Sequence, residues 1–281
     1  MNAIARKPLA TSEVRRIVHR TRGSSHGAIT RLVSPGDLGE ILKPFVFVDL
    51  FDTTKVAFGG FGLHPHSGIA TVTYLFEGDS RYEDTSGATG TISTGSVEWF
   101  KAAHGAWHGG GPGTKPTRGF QLWIALPPDQ ELGEIESIYQ SPESVAKAGP
   151  ARVLVGTYDG ATSPLRAPGS MNYLAVHLRA GETWTYQAPA DHSIAWVALA
   201  SGRVHATESL DAGELTIFEP GGAPIEFVAE TDAEFVLGSA APHRHDLVLG
   251  RYSVHTSPAS LRAGERRILD IRDQLRRDGR L

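Results

Sequence analysis

The amino-acid sequence predicts an all-β protein of two β-barrel domains followed by one α-helix. Short runs rich in β-branched and aromatic residues recur at a spacing of about 8–12 residues, which is typical of sandwiches and barrels. The 32 glycines and 17 prolines of the 281-residue chain separate these runs. Only the last part of the chain has apolar side chains at helical spacing. We therefore expect the β domains first and the helix at the end.

The strand-like runs form two series of similar size. The first series comprises residues 28–33, 44–50, 70–76, 96–101 and 119–126. Beyond Pro127 the sequence is polar and weakly patterned up to about Gly149, which indicates a linker that could carry a short helix. The second series comprises residues 151–158, 173–178, 183–186, 193–200, 214–219, 225–228 and 234–237. We expect an N-terminal domain over residues 1–135 and a C-terminal domain with the helix over residues 136–281.

The predicted helix is amphipathic and ends near Gly279. Its apolar residues fall on or near one face, and they are Leu261, Ile268, Leu269, Ile271 and Leu275. Seven arginines and four acidic residues occupy residues 260–281. This pattern favours a helix that packs on a barrel with its charged face in water, rather than a nucleic-acid contact.

Composition excludes several classes of protein. The chain has 27 basic and 31 acidic residues, so it lacks the basic excess of nucleic-acid-binding proteins. Without cysteine it cannot form disulfides, thiolate nucleophiles or cysteine-ligated metal sites. No apolar run is long enough to cross a membrane, and residues 1–22 lack the apolar core of a signal peptide. We therefore expect a cytoplasmic protein.

A histidine pair gives the clearest chemical signal. In the sequence His64-Pro65-His66, side chains of an extended strand alternate in direction, so both imidazoles point to the same side. A third histidine about forty residues later can join them if hairpins bring the strands together. Three imidazoles with open positions suit a first-row transition metal. From spacing alone, two ordinary surface histidines remain the alternative.

The sequence around this pair resembles the pirin family of bicupins. Residues 62–78 carry the resemblance most clearly. Four further motifs match the family: a strand with Trp at residues 95–99, a loop ending in His at 101–108, a Gly-x-Gln-Leu-Trp-x-x-Leu-Pro run at 119–127 and an upstream Pro-Phe-x-x-x-Asp segment at 44–52. The resemblance is dense over roughly residues 10–140 and diffuse afterwards. It implies two jelly-roll (cupin) β-barrels that face each other.

The resemblance also implies a metal site in the N-terminal barrel. The family binds one metal, usually iron, through three histidines and a glutamate. The histidines carry over to His64, His66 and His108. The glutamate position is Gly110 here, and the carboxylate that cupins often have four residues after the second histidine is Ala70. Both carboxylate positions are therefore empty.

Two interpretations of the site follow. In one, three neutral imidazoles bind a divalent metal, with iron expected first and nickel, manganese, copper or zinc as alternatives. In the other, the site is vestigial and holds no metal. His104 precedes His108 by four residues and is either a fourth ligand or, as we favour, a hydrogen-bonding residue at the rim.

By the same resemblance, the expected function is that of an oxygenase similar to quercetin 2,3-dioxygenase, with a planar aromatic small molecule as substrate. Without the glutamate we expect weak activity, and Gly110→Glu is expected to raise metal affinity. One alternative is a non-enzymatic, metal-dependent regulator that binds a protein partner. Another is a metal-free barrel that binds a small molecule.

The remaining histidines and tryptophans have simpler interpretations. His243 and His245 form a second His-x-His pair, for which we expect hydrogen bonds at the domain interface. Trp99, Trp107 and Trp123 are expected in the core rather than on the wall of a cavity.

Overall fold

A computed structural model describes residues 14–54, 56 and 59–281. Most of the leading segment used for the signal-peptide prediction, residues 1–13, lies outside the described residues. The strands, in chain order, are β1 (Ile17–Thr21), β2 (Ser24–His26), β3 (Ile29–Val33), β4 (Phe45–Asp52), β5 (Phe61–His66), β6 (Ile69–Glu77), β7 (Asp79–Asp84), β8 (Thr89–Ser93), β9 (Val97–Lys101), β10 (Ala106–Gly110), β11 (Arg118–Ala125), β12 (Glu136–Gln140), β13 (Ala146–Ala148), β14 (Ala151–Val155), β15 (Thr157–Tyr158), β16 (Ala161–Thr162), β17 (Met171–Leu178), β18 (Thr183–Tyr186), β19 (Ile194–Ser201), β20 (Arg203–His205), β21 (Ser209–Asp211), β22 (Leu215–Phe218), β23 (Ile225–Ala229), β24 (Ala233–Ala240), β25 (Val248–Leu249) and β26 (Val254–His255). The helices are α1 (Leu38–Leu42) and α2 (Pro258–Arg277).

The first barrel consists of two sheets that enclose an interior. A seven-stranded sheet has the order β12-β9-β6-β11-β4-β3-β2, and a four-stranded sheet has the order β5-β10-β7-β8. The side chains of strand β9 alternate between the two faces of the large sheet. Val97 and Trp99 belong to the core between the barrels, whereas Phe100 stacks on a histidine of the small sheet. Since side chains alternate along a strand, Glu98 shares the interior side with Phe100.

The second barrel repeats this design. Its large sheet has the order β1-β22-β19-β24-β17-β14-β13, and its small sheet has the order β18-β23-β20-β21. Its interior is filled by apolar side chains, including Trp184, Phe227 and Phe235. The two large sheets face each other through one continuous core, in which the rings of Phe45 and Trp196 lie 5.6 Å apart. The prediction of two facing β-barrels is therefore confirmed.

Two strands pair across the predicted boundary between the domains, which lies between residues 135 and 136. The boundary itself stays a prediction. Strand β1 pairs with β22 of the second barrel, and β12 pairs with β9 of the first. The interpretation of residues 127–149 as a linker with a short helix was wrong. This segment contains β12 and β13, because Ile138 packs against the core between the barrels and the β12 backbone completes the edge of a sheet.

The terminal helix α2 follows the second barrel in sequence but packs on the first. Ser257 caps its first turn by accepting a hydrogen bond from the Ser260 amide, and Pro258 occupies the first turn. Its buried face includes Ile268 and Leu275, which contact Trp107 of β10. Leu269 was wrongly assigned to this face and is exposed. Neither helix of the described chain has the length and apolarity needed to cross a bilayer.

Candidate metal centre

Three histidines converge on the inner side of the small sheet in the first barrel. Strands β5 and β10 are antiparallel neighbours, and His64 lies directly opposite His108. His66 follows two residues after His64 and therefore points to the same side. One ring nitrogen from each histidine lies within 4.8 Å of the others. The ring centroids are 4.6–5.0 Å apart. His104 is exposed and lies outside this group.

The ionisation and hydrogen bonds of these imidazoles suit a metal ion. Burial lowers the pKa of His64, and burial lowers the pKa of His66 to about 3, so both are neutral at pH 7. The Nδ1–H of His66 donates to the Tyr252 carbonyl at 3.0 Å, and that of His64 to the Gly62 carbonyl at 2.8 Å. These hydrogen bonds assign the proton to Nδ1 and leave the Nε2 lone pair free.

Two of the nitrogens have no other partner. Nε2 of His66 and Nε2 of His108 are buried and accept no hydrogen bond from any residue that the structure describes. Burial, followed by the neighbouring His64 and His66, holds the pKa of His108 well below its usual range, so this ring is also neutral. A buried polar atom without a partner is costly, and metal coordination would satisfy both atoms. Three neutral imidazoles are a donor set that accepts a divalent first-row metal. The residues therefore fit the ion, and metal binding by them stays a prediction.

The backbone at position 110 leaves no room for a side chain. The ladder between β10 and β5 shifts register between His108 and Gly110. A Cβ atom built on Gly110 would lie 2.7 Å from the carbonyl oxygen of Arg81 on β7. The obstacle is backbone, which cannot move aside as a flexible side chain can. A larger residue at this position would therefore require β10 or β7 to shift.

This geometry changes the expected effect of Gly110→Glu. We expect both Gly110→Glu and the control Gly110→Ala to lower the free energy of unfolding by about 1–3 kcal/mol, because each adds a Cβ where none fits. Metal affinity should not rise in Gly110→Glu, because displacing β10 also displaces His108. Thermal unfolding and metal titration of both variants check this. A Glu variant that is as stable as the wild type and binds metal more tightly would contradict it.

A cavity of about 100 Å³ lies between the small sheet and part of the large sheet of the first barrel. Its lining includes aromatic rings, interior polar groups, two cations, an acid at the mouth and a run of glycines, among them Phe51, Phe61, Tyr82, Thr73, Glu98, Gln121, Arg81, Lys115, Asp79 and residues 109–111 with Gly113. His64 and His108 form part of the same wall. The glycines therefore border the cavity without adding side chains to it.

Glu98 is a buried carboxylate of this cavity that the sequence did not single out. Its residue exposure is 6%, and the Thr73 hydroxyl donates to one carboxylate oxygen at 2.9 Å. Burial raises the pKa of Glu98 to about 7, although the Thr73 hydrogen bond opposes this shift. The available signal was the strand Val97-Glu98-Trp99-Phe100, in which one acid interrupts apolar residues.

A buried acid with a raised pKa should affect stability in a pH-dependent way. The folded protein favours protonated Glu98, so this group's contribution is fully present below the unfolded pKa of about 4.5 and is lost as the pH rises to about 7. The loss is roughly 3 kcal/mol, since one pKa unit corresponds to about 1.4 kcal/mol. Glu98→Gln should therefore gain stability over the wild type as the pH rises from 4 to 8. The exposed control Glu77→Gln should not gain stability over the wild type in this range. If the free energy of unfolding had the same pH dependence in Glu98→Gln as in the wild type, the raised pKa of Glu98 would be contradicted.

The segment between the second barrel and helix α2 packs beside the strand that carries His64 and His66. The Ser67 hydroxyl bonds to the Ser253 hydroxyl at 2.8 Å and lies 2.9 Å from Nε2 of His255. Nδ1 of His255 lies 3.3 Å from a Glu131 carboxylate oxygen. All of these residues are buried, so the network joins Ser67, the residue after β5, to the C-terminal segment rather than facing a ligand. Residues so distant in sequence gave no signal of this contact.

The other aromatic and histidine predictions have definite outcomes. Trp99 lies in the core between the barrels, and Trp107 lies under helix α2. Trp123 stacks on Phe47 at 3.9 Å, and its ring centroid is 4.6 Å from that of His66. The His243 amide donates to the Lys43 carbonyl of the first barrel. His243 and His245 are not joined by a third metal-ligating side chain among the described residues.

Comparison with known proteins supports this description. A family model described as Pirin matches residues 28–124. A pirin-like protein of Arabidopsis thaliana is 31% identical over 220 residues, which cover 73% of this chain and 69% of that protein. Alignments with four further relatives span 53–62% of the relatives' own lengths.

Solved structures share the fold. A structure described as quercetin 2,3-dioxygenase from Acinetobacter baumannii has a TM-score of 0.80 at 23% identity, covering 90% of this chain and 96% of that chain. The bacterial pirin YhhW of Escherichia coli, in complex with nickel(II), has a TM-score of 0.61 at 21% identity, covering 82% and 98%. With the two facing barrels and the sequence relatives, these likenesses lead to one conclusion: the chain belongs to the pirin family of bicupins.

Proposed function

We propose that this protein is a metal-dependent dioxygenase, similar to quercetin 2,3-dioxygenase, that acts slowly on planar aromatic substrates bearing a hydroxyl group. The observation that carries the proposal is the pair of unpartnered Nε2 atoms, on His66 and His108, beside an aromatic-lined cavity. His64, His66 and His108 would hold one divalent metal, with iron expected first and nickel, manganese, copper or zinc as alternatives. A related fold described as a quercetin 2,3-dioxygenase and a pirin complexed with nickel(II) support this choice.

The bound metal would supply Lewis-acid polarisation and a common position for substrate and dioxygen. The chain's own residues would bind and orient the substrate. Phe51, Phe61 and Tyr82 offer aromatic faces to a planar ring, and the cations Arg81 and Lys115 favour an anionic ligand. The absence of a carboxylate ligand leaves the metal with its full charge, which also favours an anionic oxygen.

The size of the cavity limits the substrate. Its volume of about 100 Å³ is smaller than the roughly 150 Å³ of an engineered cavity that binds benzene. The enclosed space therefore holds about one ring, and the rest of a flavonol would extend past the glycines at the mouth. This restriction, together with the absent carboxylate ligand, is why we expect slow flavonol turnover.

Elemental analysis and oxygen uptake test the proposal. Purified protein reconstituted with Fe²⁺ should hold about one metal per chain and consume oxygen with quercetin or with catechol as a one-ring probe. Both properties should be lost in His108→Ala. Metal binding without oxygen uptake would favour the non-enzymatic regulator, and absence of metal binding would favour the metal-free barrel.

A further inference from the structure

We propose that Glu98 accepts the hydroxyl proton of the substrate that binds at the three-histidine centre. This inference rests on the proposed function and adds a catalytic residue to it. The carboxylate absent from position 110 on β10 is, in this view, replaced in its proton-accepting role by one on the opposite sheet.

The first argument is position. Glu98 and Phe100 lie on the same side of β9, and the Phe100 ring is stacked on the His108 ring at 4.4 Å with an interplanar angle of 10°. Residues two apart on a strand are roughly 6.6 Å apart, so Glu98 lies about one strand repeat from the residue that contacts a histidine of the centre. Glu98 lines the same cavity as His64 and His108 but does not belong to the group of mutually close ligand atoms that the three histidines form. A substrate oxygen can therefore lie between Glu98 and the metal position.

The second argument is the free acceptor. One Glu98 oxygen accepts the hydrogen bond from Thr73, and the carboxylate has no other hydrogen-bond partner among the residues described. In the proposed step the O–H bond of the substrate breaks and an O–H bond forms on Glu98. The negative charge moves from the carboxylate to the substrate oxygen. No oxidant or reductant takes part in this step.

The third argument is the match between acid strength and working pH. A general base is most effective when its pKa lies near the pH of the reaction. Burial raises the pKa of Glu98 to about 7, which meets this condition. A carboxylate in water, with its ordinary pKa of about 4.5, would be a much weaker base.

The titration of Glu98 also depends on the groups around it. Asp84 is the acidic neighbour that raises the Glu98 pKa further. The titratable and charged side chains that face the cavity or Glu98 from the surrounding elements are His64 on β5, Arg81, Tyr82 and Asp84 on β7, His108 on β10, and Asp79 and Lys115 at the mouth. The neutral Gln121 faces the cavity from β11, and Tyr139 of β12 stacks on Tyr82.

The test measures proton transfer directly, before any oxidation. Reconstituted wild type, Glu98→Gln and Glu77→Gln are mixed with quercetin without oxygen between pH 6 and 9. Absorption then distinguishes neutral from deprotonated bound quercetin. Glu77 is the matched control, because it is an exposed acid on β6 that pairs with Arg118.

We expect the wild type and Glu77→Gln to bind deprotonated quercetin with a midpoint near pH 7. In Glu98→Gln, bound quercetin should stay neutral at pH 8, and oxygen uptake should fall about 100-fold or more at unchanged metal content. Thr73→Val should move the midpoint to higher pH, because it removes the hydrogen bond that favours the carboxylate. A purely structural role for Glu98 would not produce this shift.

The outcomes separate the two proposals. Equal deprotonation and equal oxygen uptake in wild type and Glu98→Gln would overturn the role of Glu98 and leave the proposed function intact. Loss of metal from Glu98→Gln would show that Glu98 supports the centre structurally, which also overturns the role. Failure of the metal-loaded wild type to bind quercetin or catechol would overturn the proposed function, and this inference with it.

Discussion

Replacing His108 with alanine is expected to remove the bound metal. Its Nε2 atom is buried without a partner within the described part of the chain, and its ring centroid lies 4.6 Å from that of His64 and 5.0 Å from that of His66. The two remaining imidazoles should bind a divalent ion much more weakly than three do. The loss of affinity should exceed the roughly 10–100-fold that results from changing only a hydrogen-bond partner of a ligand. Elemental analysis after dialysis and titration calorimetry with Fe²⁺ or Ni²⁺ measure the effect.

His104→Ala is the matched control for this substitution. His104 belongs to the same segment, but its side chain is exposed and lies outside the histidine group. Its replacement should leave metal content unchanged. If His108→Ala retained full metal content, or if His104→Ala lost it, the three-histidine centre would be assigned to the wrong residues.

Replacing Ile268 with alanine should lower the free energy of unfolding by about 2–4 kcal/mol, because it opens a cavity in the contact between helix α2 and the first barrel. Ile268 is 7% exposed, and its carbonyl accepts a hydrogen bond from Trp107 Nε1 at 3.0 Å. Leu275→Ala should have a similar effect. Denaturant titration of the metal-free protein measures the change without a contribution from bound metal.

Leu269→Ala is the control on the same helix. Leu269 follows Ile268 directly but is 46% exposed, so its truncation should change stability by no more than about 0.5 kcal/mol. Equal losses for Ile268→Ala and Leu269→Ala would mean that the helix does not pack on Trp107 as described. Because Trp107 precedes His108, a weakened helix contact should also reduce metal affinity.

The sequence predicted the central strands of the large sheets well, but it missed β1, β2, β12 and β13 at their edges. Residues 70–76 and 119–126 were predicted as strands, and β6 and β11 differ from these by one or two residues. These strands are largely buried on both faces, since one face meets the other barrel and the other faces the interior. The small sheet of the first barrel was harder to predict. Strands β7 and β8 are polar and partly exposed, and β10 contains three small residues among five, so none has a strong alternating pattern.

For the candidate site, the spacing His64-Pro65-His66 placed two imidazoles on one side of a strand without any knowledge of the fold. The resemblance to pirins added His108 and identified the departure at Gly110. The sequence could not say why glycine is there, because the obstacle is the Arg81 carbonyl on a neighbouring strand. Nor could it distinguish Glu98 from any other acid, because burial depends on what the opposite sheet contributes.

The sequence by itself thus determined the features that depend on neighbouring residues: the strand periodicity, the helical tail and the direction of the histidine pair. Tertiary structure alone decided the features that depend on distant segments. It placed the tail on the first barrel, paired Glu98 with Thr73 at 2.9 Å and brought Tyr252 to within 3.0 Å of His66. The physical reason is that desolvation and hydrogen-bond pairing depend on the whole surroundings of a group, whereas side-chain direction depends on the backbone of its own strand.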